Sequence, residues 1–157
     1  MKKAVLSALC LVATSFASEV SAQAQEAETG EVISLVTKIN GQTPPGRLAH
    51  LVDVETMIDT IMPDGNRLVV MKGIRKAGTR VGIHVHKYGG HTCVLSGAIT
   101  DFVEGIDPGL FPAGTCYYMP SDTPMTAANL GTEDAMLIDT FILPPGEETI
   151  TILEPGY

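Results

Sequence analysis

From position 31 onward, short apolar segments alternate with clusters of glycine, proline, asparagine and aspartate. The apolar segments lie at 32–39, 48–54, 67–74, 80–86, 92–95, 98–103, 115–119, 125–129, 135–143 and 149–153. Many short segments rich in β-branched residues and separated by turns are typical of β-sandwiches and β-barrels. Only residues 54–61 carry a helical pattern, with Asp53 as a candidate cap and Val54, Met57, Ile58 and Ile61 on one side. The pattern therefore predicts one all-β domain.

The first thirty residues differ from the rest of the chain. Lys2 and Lys3 precede an apolar run at 4–17, and Val20-Ser21-Ala22 fits the small-x-small rule for signal-peptide cleavage after Ala22. This run is shorter than the ~20 residues that a membrane-spanning helix needs. We expect a signal peptide at 1–22, a flexible leader at 23–30 and a folded domain at 31–157. The mature protein is expected in the periplasm or outside the cell.

The charge of the chain narrows the classes of partner. Removing Lys2, Lys3 and Glu19 with the signal takes away a net +1 and lowers the formal charge from −8 to −9. An acidic domain without basic runs argues against binding to nucleic acid and, once the signal is removed, to anionic membranes.

Two cysteines, Cys93 and Cys116, remain after the signal. In an oxidising compartment such a pair is expected to form a disulfide. Two unpaired buried thiols, or cysteine as a soft metal ligand, are the alternatives that the sequence leaves open.

The segment around His84 and His86 carries the chemistry. Two histidines at i and i+2 lie on one face of a strand because strand side chains alternate. Converging imidazoles favour a transition metal, although half-buried strand histidines bonded to backbone or water are also common. His91 follows the Gly89-Gly90 turn. Strict alternation sends His91 to the opposite face, unless a bulge at the glycines reverses its direction.

The spacing of these residues resembles the two motifs of the cupin family. In the first motif, Gly78 precedes His84 by five residues, His86 follows, and Gly97 closes the motif six residues after position 90. In the second, Gly114, Pro120, position 125 and Asn129 reproduce the family spacing. The resemblance covers roughly residues 65–143 and implies a single jelly-roll β-barrel. A homodimer, common in that family, is implied by the resemblance alone.

The chain departs from the family at the metal ligands. Gly90 stands at the family's glutamate position, Met125 at its third histidine and Asp122 at an internal glycine. Only His84 and His86 of the usual four ligands carry over. His91 or the Met125 thioether is the candidate that completes a set of three. A set of imidazole and sulfur donors without a carboxylate favours copper, with zinc, iron or manganese as weaker alternatives.

The resemblance leaves the function class open. A metal-dependent activity on, or binding of, a small organic molecule is the first hypothesis, since cupins host lyases, dioxygenases and isomerases alike. A metal-free barrel that binds or senses a small molecule is the alternative, and the metal is then absent.

Two further residues are candidates for substrate binding. Arg80 shares the parity of His84 and is expected to point inward, where it needs an internal carboxylate or a substrate anion as partner. Tyr88, with Tyr117 and Tyr118, could line the mouth of the barrel or simply pack.

Overall fold

The computed structural model describes residues 35–157, which fold into two facing β-sheets. The expected signal peptide at 1–22 and leader at 23–30 lie outside the described residues. The twelve strands are β1 Arg47–Leu48, β2 Val52–Ile61, β3 Arg67–Arg75, β4 Thr79–Arg80, β5 His84–Val85, β6 Gly90–Ser96, β7 Ala98–Val103, β8 Gly109–Pro112, β9 Cys116–Met119, β10 Met125–Asn129, β11 Ala135–Leu143 and β12 Thr151–Ile152. Among residues 35–157 no helix is long and apolar enough to cross a membrane.

One sheet has five strands in the order β2-β3-β11-β6-β9, and all of its pairs are antiparallel. Its two longest pairings join β3 to β11 and to β2. These strands are rich in β-branched residues, which suit a pleated and half-buried surface. The side chains on one face of this sheet point into the interior of the domain.

The other sheet has seven strands arranged around β10. One edge of β10 pairs with β7, which in turn pairs with β8. The other edge pairs first with β5 and then with β4, so β4 and β5 act as two halves of one interrupted strand. The interruption covers residues 81–83, and it brings β12 alongside β5 and β1 alongside β4.

The core fills the space between the sheets. On β7 the inward positions Ile99, Asp101 and Val103 are buried and alternate with less buried neighbours, as expected for a strand with one interior face. The other buried core residues include Val69, Val94, Tyr117, Met119, Met125, Leu137, Phe141 and Leu143. The predicted all-β jelly-roll domain is therefore confirmed.

The expected helix at 54–61 is wrong, because these residues belong to strand β2 at the edge of the five-stranded sheet. The strand is bulged twice, between Val52 and Glu55 and between Thr56 and Ile58. Each bulge shifts the alternation of side chains by one position. Apolar residues therefore recur at intervals of three and four along an extended chain and imitate a helical pattern.

Candidate functional site

The two histidines of the His-x-His segment lie side by side in the interior. His84 is in β5, opposite Met125 of β10 in the antiparallel register, and His86 follows β5 and bridges to Ser121. His84, His86 and Met125 are all buried and line the same cavity. Alternation along β5 and the register with β10 produce this arrangement.

The imidazole rings of His84 and His86 face each other with their Nε2 atoms. The Nε2 atoms of His84 and His86 lie 3.0 Å apart, and the rings meet edge to face. Nδ1 of His84 lies 2.8 Å from the carbonyl oxygen of Gly82, and Nδ1 of His86 lies 2.6 Å from that of Thr149. A carbonyl only accepts, so each Nδ1 carries a hydrogen and donates it. In the neutral rings both Nε2 atoms are then lone-pair acceptors that face each other.

A proton shared between the rings is disfavoured by their environment. Burial, with a smaller contribution from the neighbouring His86, lowers the pKa of His84 to about 3. Burial also lowers the pKa of His86, partly opposed by the bond to Thr149. Near neutral pH both imidazoles are therefore neutral, the form in which histidine binds metals.

Beside the histidines lies a cavity of about 250 Å³ between the two sheets. Most of its walls are apolar, and exposed Val54 and Ile150 lie at its rim, so the cavity reaches the surface. Its lining comprises His50, Leu51, Val54, Met71, Arg75, Val81, His84, His86, Thr92, Tyr117, Met119, Met125, Ala127, Leu137, Asp139, Phe141, Thr149, Ile150 and Tyr157. This volume, bounded by apolar side chains and a few polar groups, suits a small organic ligand.

A row of four side chains, three of them polar, crosses the five-stranded sheet on the wall opposite the histidines. Successive pairings place Met71, Asp139, Thr92 and Tyr117 side by side across four strands. The Thr92 hydroxyl donates to Oδ1 of Asp139 at 2.6 Å. Burial raises the pKa of Asp139 and raises that of Tyr117 well above its ordinary range. The row therefore presents groups that resist ionisation.

Arg75, at the end of β3, adds a positive charge to the cavity wall. The residue is 3% exposed, and its Nη1 donates to the carbonyl of Ala49. Its Nε–H has no hydrogen-bond partner, and within residues 35–157 no carboxylate forms a salt bridge with it. Nothing in the local sequence distinguishes Arg75 from other strand arginines, so its place in the cavity was not predicted.

Arg80, expected as a substrate-binding residue, has an internal partner instead. Its Nη2 donates to Oε1 of Glu154 at 2.7 Å and its Nη1 to Oε2 at 2.5 Å, and the pair is buried. Glu154 also accepts from the backbone N–H of Ile83. Arg80 does not line the cavity. Its guanidinium ties the interrupted strand between β4 and β5 to the end of the chain, which corrects the substrate-binding role.

Two other expected site residues lie away from the cavity. His91 is exposed on β6 opposite Tyr118, because the strand keeps its alternation across Gly90 and directs this ring outward. Tyr88 is at the surface, where the Lys87 ammonium lies 5.3 Å from the centre of its ring. Neither residue lines the cavity beside His84 and His86.

Gly90, at the family's glutamate position, is enclosed by its neighbours. A Cβ built there would lie 2.7 Å from Cδ1 of Phe141 and 2.9 Å from the methyl carbon of Met119. The Phe141 ring also packs against His86, with centroids 5.1 Å apart. Phe141 thus fills the space that a side chain at position 90 would need.

Cys93 and Cys116 are directly opposite each other on β6 and β9 and are joined by a disulfide. The bridge lies on neighbouring antiparallel strands and takes no part in the cavity. With both sulfurs in the bridge, cysteine ligation of a metal is not available in this state. Among the described residues, no group of three or more His, Cys, Asp or Glu side chains could hold a metal.

Comparison with solved structures identifies the fold as a double-stranded β-helix. An uncharacterized protein from Klebsiella pneumoniae with this domain is 21% identical at a TM-score of 0.51, covering 82% of this chain and 99% of its own. An RmlC-like cupin from Methanocaldococcus jannaschii is 17% identical at a TM-score of 0.50, covering 59% of this chain and 80% of its own. The fold is therefore that of the cupin superfamily, as the motif spacing indicated.

The DMSP lyase DddQ from Ruegeria pomeroyi is also similar, at 18% identity and a TM-score of 0.55. The match covers 66% of this chain, and the chain spans about half of the lyase, 52% of its length. No protein-family model matches the sequence, and no curated protein matches it.

Proposed function

We propose that this chain is an exported cupin that holds a transition-metal ion between His84 and His86. In the adjoining cavity it binds or transforms a small organic molecule. The observation that carries the proposal is the convergence of two Nε2 lone pairs at 3.0 Å. Two neutral acceptors at that distance repel each other unless a cation lies between or beside them.

The Nε2 separation suits a single metal ion. Two imidazole nitrogens bound to one ion at ~2.1 Å and about 90° to each other lie about 3.0 Å apart. Each ring is fixed by the hydrogen bond from its other nitrogen, to Gly82 in one case and Thr149 in the other. Such bonds orient metal-ligating histidines in many proteins.

The donor set favours copper. Met125, beside His84 in the register, offers a thioether, and no carboxylate joins the pair in the described part of the chain. Imidazole and sulfur suit copper, whereas manganese and ferrous iron prefer carboxylate oxygen. When bound, such a metal supplies a Lewis acid or a redox centre. The residues of the chain hold the ion and shape the apolar cavity that excludes water around the ligand.

A metal-free barrel is the second candidate function. The small number of donors favours it, because two histidines and a thioether are fewer ligands than the four of the usual cupin metal site. In that case the neutral imidazoles act as hydrogen-bond acceptors for a small molecule. Export and a periplasmic or secreted location are part of either proposal and follow from residues 1–22.

Metal analysis of the mature protein distinguishes the two candidates. The protein is exported with its own signal, purified, stripped with chelator and reloaded with one equivalent each of copper, zinc, iron and manganese. We expect about one copper per chain, retained after desalting. His84→Ala should lose it, whereas His91→Ala, which removes an exposed imidazole outside the cavity, should not.

Two outcomes would contradict the metal proposal. Wild-type protein that retains no metal, or His84→Ala that retains as much as His91→Ala, would favour the metal-free barrel. Circular dichroism of each variant shows whether the fold persists. Met125→Leu keeps the volume of the side chain and removes the sulfur, and we expect it to weaken copper(I) binding specifically.

A further inference from the structure

The cavity contains a buried positive charge that forms no salt bridge with any carboxylate of the described chain. Arg75 is 3% exposed and lines the cavity, its Nε–H is unpartnered and its Nη1 reaches only the carbonyl of Ala49. The Nε–H of the other buried arginine, Arg80, is also unpartnered, but both oxygens of Glu154 accept from the Arg80 guanidinium. Burying a charge without a partner is costly, so an arginine in this position needs an anion.

Asp139 does not fill that role. It lies on the same cavity wall, and the Arg75 charge partly opposes the rise of its pKa that burial causes. Its Oδ1 nevertheless accepts from Thr92, and no salt bridge or hydrogen bond joins it to Arg75. The remaining ionisable groups of the lining are histidines and tyrosines. Arg75 is therefore the one lysine or arginine of the lining.

The other side chains of the cavity indicate that the part of the ligand away from Arg75 is apolar. Leu51, Val54, Met71, Leu137 and Phe141 contribute apolar walls. A cavity of about 250 Å³ suits a small organic molecule whose apolar part packs against these walls.

We propose that the cavity binds a small organic monocarboxylate, with the carboxylate on the Arg75 guanidinium and a short apolar body against the apolar side chains of the lining. A guanidinium fork matches the two oxygens of a carboxylate and forms charge-assisted hydrogen bonds with them. This inference deepens the proposed function by naming a ligand class for the same cavity. It does not need the metal, because Arg75 alone supplies the recognition.

The test compares an acid with its neutral isostere. Hexanoate and hexanamide are titrated into the mature protein at pH 7.5, once after chelator treatment and once after copper loading. Binding is followed by calorimetry and by the side-chain Nε–H resonance of Arg75. We expect hexanoate to bind at least ~10-fold more tightly than hexanamide in both preparations and to shift that resonance.

Two variants assign the preference to Arg75. Arg75→Gln should bring the ratio of acid to amide affinity close to one, and Arg75→Lys should restore part of it because the charge is kept without the fork. Arg67→Gln removes a surface arginine paired with Asp59 and should leave the ratio unchanged. If Arg75→Gln does not fold, the wild-type ratio and the Arg75 resonance still decide the matter.

The outcomes separate this inference from the metal proposal. Equal affinities for acid and amide in both preparations would overturn the carboxylate assignment and leave the metal proposal untouched. A preference present only after copper loading would mean that the metal, not Arg75, binds the carboxylate. An acid preference in the chelator-treated protein that Arg75→Gln abolishes supports the inference, even if copper does not bind.

Discussion

We expect Gly90→Ala to destabilise the protein, because the side chains around Gly90 leave no space for a Cβ. Gly90 is in strand β6 and its backbone is in the ordinary range for any residue. In open space, Gly→Ala in such a backbone stabilises by about 0.4–1 kcal/mol because it restricts the unfolded chain. The added Cβ would however lie 2.7 Å from Cδ1 and 2.9 Å from Cε1 of Phe141, and 2.9 Å from the Met119 methyl.

The size of the effect depends on whether Phe141 can move. Its ring is 4% exposed and packs against His86, so it has little room to withdraw. Overpacking of a filled core costs typically 1–3 kcal/mol. We therefore expect Gly90→Ala to lower the free energy of unfolding by about 2 kcal/mol, a net change opposite in sign to that expected without the clash.

Urea unfolding followed by far-UV circular dichroism measures this change, since the chain has no tryptophan. Gly131→Ala is the matched control, because a Cβ there meets only Oδ1 of Asn129, at 3.3 Å. Phe141→Leu opens the space beside position 90, so the double variant should recover at least ~1 kcal/mol relative to the sum of the single changes. A Gly90→Ala protein as stable as wild type, or strictly additive variants, would refute the argument.

Three further predictions follow from the interior. Burial raises the pKa of Asp101 to about 7 and leaves its Oδ1 unpartnered, so folding takes up a proton between the unfolded pKa of ~3.9 and 7. The free energy of unfolding should therefore fall as pH rises through that window, by up to ~4 kcal/mol. In urea titrations at several pH values, Asp101→Asn should remove this fall. Identical pH profiles for the wild type and the variant would contradict the prediction. Thiol titration of the unreduced, denatured mature protein should find no free Cys93 or Cys116, and reduction should cost about 3 kcal/mol by loop entropy; two free thiols would exclude the bridge. Met125→His should broaden metal binding toward zinc, iron and manganese in competition titrations, and an unchanged metal preference would remove position 125 from the ligand set.

Much of the fold was predictable because its signals are local. Alternation along short segments, with turns between them, indicated an all-β domain, and two spaced motifs indicated the cupin fold. Alternation also placed His84 and His86 on one face, and the motif placed Met125 beside them. Whether these three side chains bind a metal stays a prediction.

Local patterns failed where a small change in pairing alters the direction of side chains. Two bulges in β2 gave residues 54–61 a helical spacing. The opposite error was the allowance for a bulge at Gly90, because β6 pairs regularly there and His91 points outward. A bulge is set by the partner strand, which the local sequence does not reveal.

The two arginines show why the polar site was the least predictable part. Arg80 and Arg75 are both buried strand residues, and parity alone favoured Arg80 as the one needing an anion. What distinguishes them is a carboxylate 74 residues beyond Arg80 in the chain, because Glu154 accepts hydrogen bonds from the Arg80 guanidinium. Arg75 forms no salt bridge with a carboxylate of the described chain, and the pairing of four strands is what places it in one cavity lining with Asp139, Thr92 and Tyr117. Which buried charge is left for a ligand is thus a property of long-range register, and it becomes visible only when every other charge has been assigned its partner.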